Sequence, residues 1–162
     1  MNDGLETFLL ATDLGPRGPD VLRCAASLAH RLNARLHVVH VIEPLSEFAQ
    51  FWISTTLPEE VRRAHHAETY ASVREALQQR LDTFCRETLE DHAERLIADI
   101  QILEGPPARV ILAEARRINA DLIVMGSHGH SAIGEAMLGS VAHQVTMKAT
   151  VPVLLVPIGP RG

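Results

Sequence analysis

Apolar and polar positions along the chain fall into alternating blocks. Residues 5–12 form a short apolar run closed by Asp13-Leu14-Gly15-Pro16. An unbroken apolar run between turn residues predicts a strand buried on both faces, as in a parallel sheet. Val21, Leu22, Ala25, Leu28, Ala29 and Leu32 then recur at helical spacing, and Asn33 supplies a stop. Residues 36–42, rich in β-branched side chains, predict a second strand. Residues 43–57 hold Pro44, Phe48, Phe51 and Trp52 without a clear period and read as a long loop. Pro58 and two glutamates open a long helix, with Tyr70, Val73, Leu77, Leu81 and Phe84 as its apolar stripe.

The second half repeats the pattern. Residues 96–103 predict strand three, and Gly105-Pro106-Pro107 leads into a helix carrying Val110, Ile111, Ala113 and Ile118. Residues 122–125 predict strand four, residues 126–138 a glycine-punctuated loop, and Gly139-Ser140 the start of a short helix. Residues 151–156 close the chain as strand five. Strict alternation of strand and helix predicts one α/β domain with a core over about 5–157. Its architecture is a doubly wound, five-stranded parallel sheet with helices on both faces. Such sheets bind ligands beyond the carboxyl ends of the strands, where strand order reverses. That rule points at Asp13, Val41 and the loop from Gly126. Pro152 cannot donate to a ladder and places the last strand at an edge.

Composition narrows the function classes. The 162 residues are 46% hydrophobic and 22% charged, a globular balance that excludes disorder. No apolar run reaches a membrane span, and Met1-Asn2-Asp3-Gly4 lacks a secretory start. A cytoplasmic location with no membrane partner is the expectation. The net charge is −5 without a basic cluster, which argues against nucleic acid. Cys24 and Cys85 both fall on predicted helices and read as buried, core-facing thiols in a reducing compartment.

The chemistry concentrates in Gly126-Ser127-His128-Gly129, nine residues, then Gly139-Ser140. Glycines allow main-chain N–H groups to turn inward around an anion. A helix beginning at Ser140 adds unpaired amides and partial positive charge. This is no Walker loop, since no Lys or Arg occurs between Arg117 and Lys148. Without a cation, phosphate binding is easier to justify than fast phosphoryl transfer. Asp13, at the end of strand one, could accept from a ribose or adenine, hold a divalent ion, or merely cap the next helix.

These residues resemble the universal stress proteins. Gly-x-x-Gly, nine residues, Gly-Ser is similar to that family's ATP-binding motif. Ala11-Thr12-Asp13, His40-Val41-Ile42-Glu43, Glu104-Gly105-Pro106, the run from Asp121 to Gly129, and Val151-Pro152-Val153-Leu154 resemble its other landmarks. The resemblance implies a Rossmann-like, adenine nucleotide alpha hydrolase-like fold. It implies ATP or another adenine nucleotide, with Mg or Mn on its phosphates. Asp13, Val41 and Gly126 would meet adenine and ribose, with Ala11, Thr12 and Met125 beside them. Gly129, Gly139, Ser140 and Val141 would meet the phosphates, with His128 lining them. His130 stands where the family often has Arg or Lys, and Gly15 where it often has Ser. The family also implies a homodimer paired through residues 151–156.

Three functional readings follow: a nucleotide-binding regulatory module, a slow ATPase or transferase on the same fold, and a dimeric scaffold without physiological nucleotide. No catalytic residue is assigned. A zinc site from His128, His130 and His143, or a hydrolase triad using Ser127 or Ser140, has no supporting pattern.

Overall fold

The computed structural model describes residues 4–128 and 138–158, the side chains of 65–69 excepted. Five strands, β1 (Thr7–Ala11), β2 (Arg35–Ile42), β3 (Ile97–Glu104), β4 (Leu122–Gly126) and β5 (Val153–Val156), form one parallel sheet ordered β3-β2-β1-β4-β5. The order reverses between β1 and β4, and β5 is an edge strand that begins just after Pro152. This is the doubly wound architecture that the alternation of blocks predicts.

The central strand explains the two-layered core. Phe8, Leu9 and Leu10 are all fully buried, yet they face opposite ways. Phe8 and Leu10 join Leu36, Val38 and Val124 under α1 (Gly18–Leu32) and α3 (Glu59–Leu89), whose Leu22, Ala25, Leu81 and Cys85 close that face. Leu9 joins Val39 and Ile123 under α5 (Pro107–Arg117) and α6 (Ser140–Lys148), which contribute Ile111, Leu112, Ala142 and Val145. Asp121 pins the start of the sheet, its Oδ2 accepting from the N–H groups of Glu6 and Thr7, each at 2.9 Å. Asn33 ends α1 in the left-handed conformation, as its position predicts. Gly105, at φ 137°, makes the turn from β3 into α5, where a Cβ would stand 2.8 Å from Val110 Cγ2.

Three expectations need correction. Residues 43–57 are not a loop throughout: α2 runs over Glu47–Thr56, and the Ser46 hydroxyl accepts from the Ala49 N–H at its start. Helix α2 buries no residue, so no apolar stripe marks it, and Phe48, Phe51 and Trp52 stand 71%, 63% and 57% exposed. The apolar stripe of α3 joins the core only from Leu77 onward: Val73 is exposed, Tyr70 reaches the end of β3 through its hydroxyl, which donates to Glu104, and the start of the helix beyond it overhangs the sheet. Cys24 is exposed, since it turns away from the α1 face that holds Val21, Leu22 and Ala25. Cys85 is buried as expected, and burial, aided by the Asp82 charge, pushes its thiol pKa up to about 12.

His37 lies on β2 opposite Asp99 of β3, with Nδ1 buried and unpartnered among the described residues. Burial is the leading influence and lowers its pKa below 6.5, outweighing the attraction of Asp99 and Glu114; Arg117 and Arg35 push the same way as burial. The unfolded chain therefore takes up this proton at higher pH than the folded one. The contribution of neutral His37 to stability is present above pH 6.5 and is lost as pH falls through the lowered folded value. Replacing His37 by Gln is expected to flatten the decline in urea midpoint between roughly pH 7 and pH 5. A mutant whose midpoint falls as steeply as the wild type would contradict this.

Candidate nucleotide site

Three helices begin at the carboxyl edge of the sheet, and a cleft of ≈ 670 Å³ opens between them. It lies where β1 and β4 diverge, the place that the reversal of strand order predicts. From the end of β1 come Ala11, Thr12 and Asp13, and from β2 comes Val41. Met125, Gly126 and His128 enter from the end of β4, and Gly139, Ser140 and Val141 from the start of α6. Every predicted contact among the described residues thus borders one cavity. Gly129 and His130 lie outside the described residues.

The β1 end is built from two back-to-back turns. Thr12 Oγ1 accepts from the Leu14 N–H at 3.1 Å, and Asp13 Oδ1 accepts from the Gly15 N–H at 2.9 Å. Leu14 takes φ 58° between them. The N-cap of α1 is Arg17, whose side chain makes no capping hydrogen bond, so Asp13 does not cap that helix. Its carboxylate instead shapes the loop beside the cleft. His40, half-buried, donates from Nδ1 to the Thr12 carbonyl at 2.8 Å, which leaves its Nε2 as an acceptor.

The other bank is the start of α6. Gly139 is its extended N-cap (φ −59°, ψ 150°) and offers no side chain to bond the helix amides. The first helical bond runs from the His143 N–H to the Gly139 carbonyl at 2.8 Å. The amides of Ser140, Val141 and Ala142 therefore have no acceptor within the helix, and all three residues border the cleft. The Gly139 N–H is spent on the Ser127 carbonyl at 2.8 Å, which fastens the helix start to the end of β4. No Lys or Arg borders the cleft among the described residues, while Asp13 and Glu43 do. An anion here would be held by main-chain dipoles.

The rival site readings fare differently. Ser127 does not line the cleft, and its Oγ lies 2.8 Å from His128 Nδ1 and accepts from the Ile158 N–H at 3.2 Å. His143 is exposed on α6. Among the described residues no three His, Cys, Asp or Glu side chains gather as a metal centre would need. Phe48, Phe51 and Trp52, the aromatic residues of the 43–57 segment, do not border the cleft. Sequence reasoning missed Leu77, Ile111 and Ile158, which do border it. Leu77 and Ile111 read as ordinary helix core, and nothing in the order of residues brings position 158 back to position 126.

A smaller hollow of ≈ 360 Å³ lies near the end of α5, beside Arg116 and Thr150, and holds none of the predicted residues. Among the described residues no helix is long and apolar enough to cross a membrane.

Comparison with known proteins finds relatives of the same fold. Universal stress protein A homolog 1 of Coxiella burnetii is 34% identical over 154 residues, which cover 92% of this chain and 94% of that protein. The structure of protein MJ0577 superposes with a TM-score of 0.74 at 22% identity, covering 97% of this chain and 99% of that one. A universal stress protein in complex with cAMP follows at TM-score 0.59 and 23% identity, covering 97% and 100%. One from Archaeoglobus fulgidus in complex with dAMP gives 0.55 and 21%, covering 93% and 96%. At these identities the structural likenesses speak for the fold. The model of the Universal stress protein family matches residues 4–157, nearly the whole length, and the chain belongs to that family.

Proposed function

We propose that this chain is a regulatory module that binds an adenine nucleotide, ATP foremost, in the cleft between β1 and β4. The observation that carries the reading is the N-terminus of α6. Three successive residues whose amides have no acceptor within the helix border a cavity that Asp13 and Val41 also line. The phosphates would take the Ser140, Val141 and Ala142 amides, and the adenosine end would lie toward Asp13 and Val41. Two family members with the same fold are complexed with cAMP and dAMP, which supports an adenine nucleotide as the ligand class. A divalent ion, Mg or Mn, would take most of its ligands from the phosphates, with Asp13 and Glu43 the carboxylates that border the cleft among the described residues.

Binding without rapid turnover fits the lining. Transfer of a phosphoryl group needs positive charge where negative charge develops, and no cationic side chain borders the cleft among the described residues. The edge strand β5 offers its open side to a second copy, so a homodimer joined there completes the proposal. Native mass spectrometry of the purified full chain tests both parts. The expected spectrum is a dimer carrying ATP or another adenine nucleotide. An empty dimer that ignores added ATP would favour the scaffold reading instead.

A further inference from the structure

The wall of the cleft above Gly126 is closed by the chain itself. Gly126 ends β4 and pairs with Val156, and the next N–H, from Ser127, donates to the Val156 carbonyl at 2.9 Å. Pro157 then breaks the ladder, having no N–H to donate. Ile158 turns back instead. Its N–H donates to Ser127 Oγ at 3.2 Å, and its side chain lies directly on Gly126. A Cβ on Gly126 would stand 2.0 Å from Ile158 Cδ1, far inside contact distance. Ile158 also borders the cleft and is half-buried.

A glycine at such a strand end leaves room for a close approach to the backbone. Here an aliphatic side chain of the same molecule takes that room. It is held by one hydrogen bond at the long end of the normal range and by partial packing against the core cluster beneath α1 and α3. The acceptor of that bond, Ser127 Oγ, also touches His128 Nδ1 at 2.8 Å, while His128 Nε2 is buried without a partner among the described residues. Departure of Ile158 would free an acceptor site on Ser127 Oγ beside this imidazole.

We infer that Ile158 is a displaceable plug, seated over Gly126, that competes with the nucleotide for the cleft and thereby sets its affinity. The inference rests on the adenine-nucleotide reading above. A fixed wall, against which a base would pack, would have the opposite sign under mutation.

The test is titration calorimetry of the full chain with ATP and magnesium, joined to hydrogen exchange at the Ile158 amide. Ile158→Gly is expected to bind ATP about tenfold more tightly, because the nucleotide then displaces no aliphatic side chain, while the main-chain bond from residue 158 to Ser127 is unchanged. Ile158→Phe is expected to bind more weakly. In the wild type, saturating ATP is expected to speed exchange at the Ile158 amide, which a wall would not do. Equal or weaker binding by Ile158→Gly, or unchanged exchange, would overturn the plug. If ATP binds wild type and Ile158→Gly equally, the plug alone fails. If it binds neither, the nucleotide reading fails with it.

Discussion

Ser140→Pro is expected to leave the fold standing while cutting ATP affinity roughly ten- to a hundredfold. Proline is tolerated at the first position of a helix, where its missing N–H has no helical acceptor to lose. Ser140 occupies that position in α6, and the extended Gly139 before it suits a following proline. The substitution therefore deletes one amide and one hydroxyl from the cleft at little cost to the helix. Hydrogen bonds to a charged group contribute about 1.5–3 kcal/mol each. One such bond accounts for a loss of this size. Ser140→Ala, which keeps the amide, should lose only the share of the hydroxyl. Calorimetric titration beside a thermal melt separates the two effects. Undiminished affinity in a folded Ser140→Pro protein would show that these amides do not hold phosphate, and the proposed function would lose its main support.

The second large effect belongs to the core. Phe8 is 0% exposed on the central strand, in the cluster beneath α1 and α3. Phe8→Ala is expected to lower the free energy of unfolding by about 3–5 kcal/mol, the usual cost of removing a buried ring and leaving a cavity. Domains of this kind hold about 5–15 kcal/mol in all, so the loss should be plain in the urea midpoint. Phe48→Ala, on the exposed α2, is expected to change stability by less than about 0.5 kcal/mol. A small loss at Phe8, or a large one at Phe48, would contradict the assignment of core and surface.

Strands β1 and β4 were legible because both their faces are buried. Phe8, Leu9 and Leu10 leave no polar position to blur the run, and residues 122–125 behave alike. The cleft was legible in part for a different reason. Main-chain anion sites need glycine and a helix start in order, and order is what a sequence records. What escaped notice had no local signature. Helix α2 rests no face on the sheet, so its residues carry no period. Cys24 sits one position from Ala25, and helical geometry gives the two opposite fates. Ile158 reaches Gly126 only because β4 and β5 are neighbours, a fact of topology rather than of spacing. The family's frequent basic residue is replaced by His130, whose contribution to the cleft lies outside the described residues.

The overhang of α3 bears on how the molecule can be watched. Thirty-one residues of helix extend about 46 Å, whereas strands of five to eight residues reach only about 17–27 Å. The surplus length and α2 together make an arm that stands off the sheet, and Trp52, the sole indole of the chain, sits on it. Indole emission is therefore a gauge of the arm and not of the cavity. A spectral change on loading the cavity would mean that the far end of the arm feels what happens at its root.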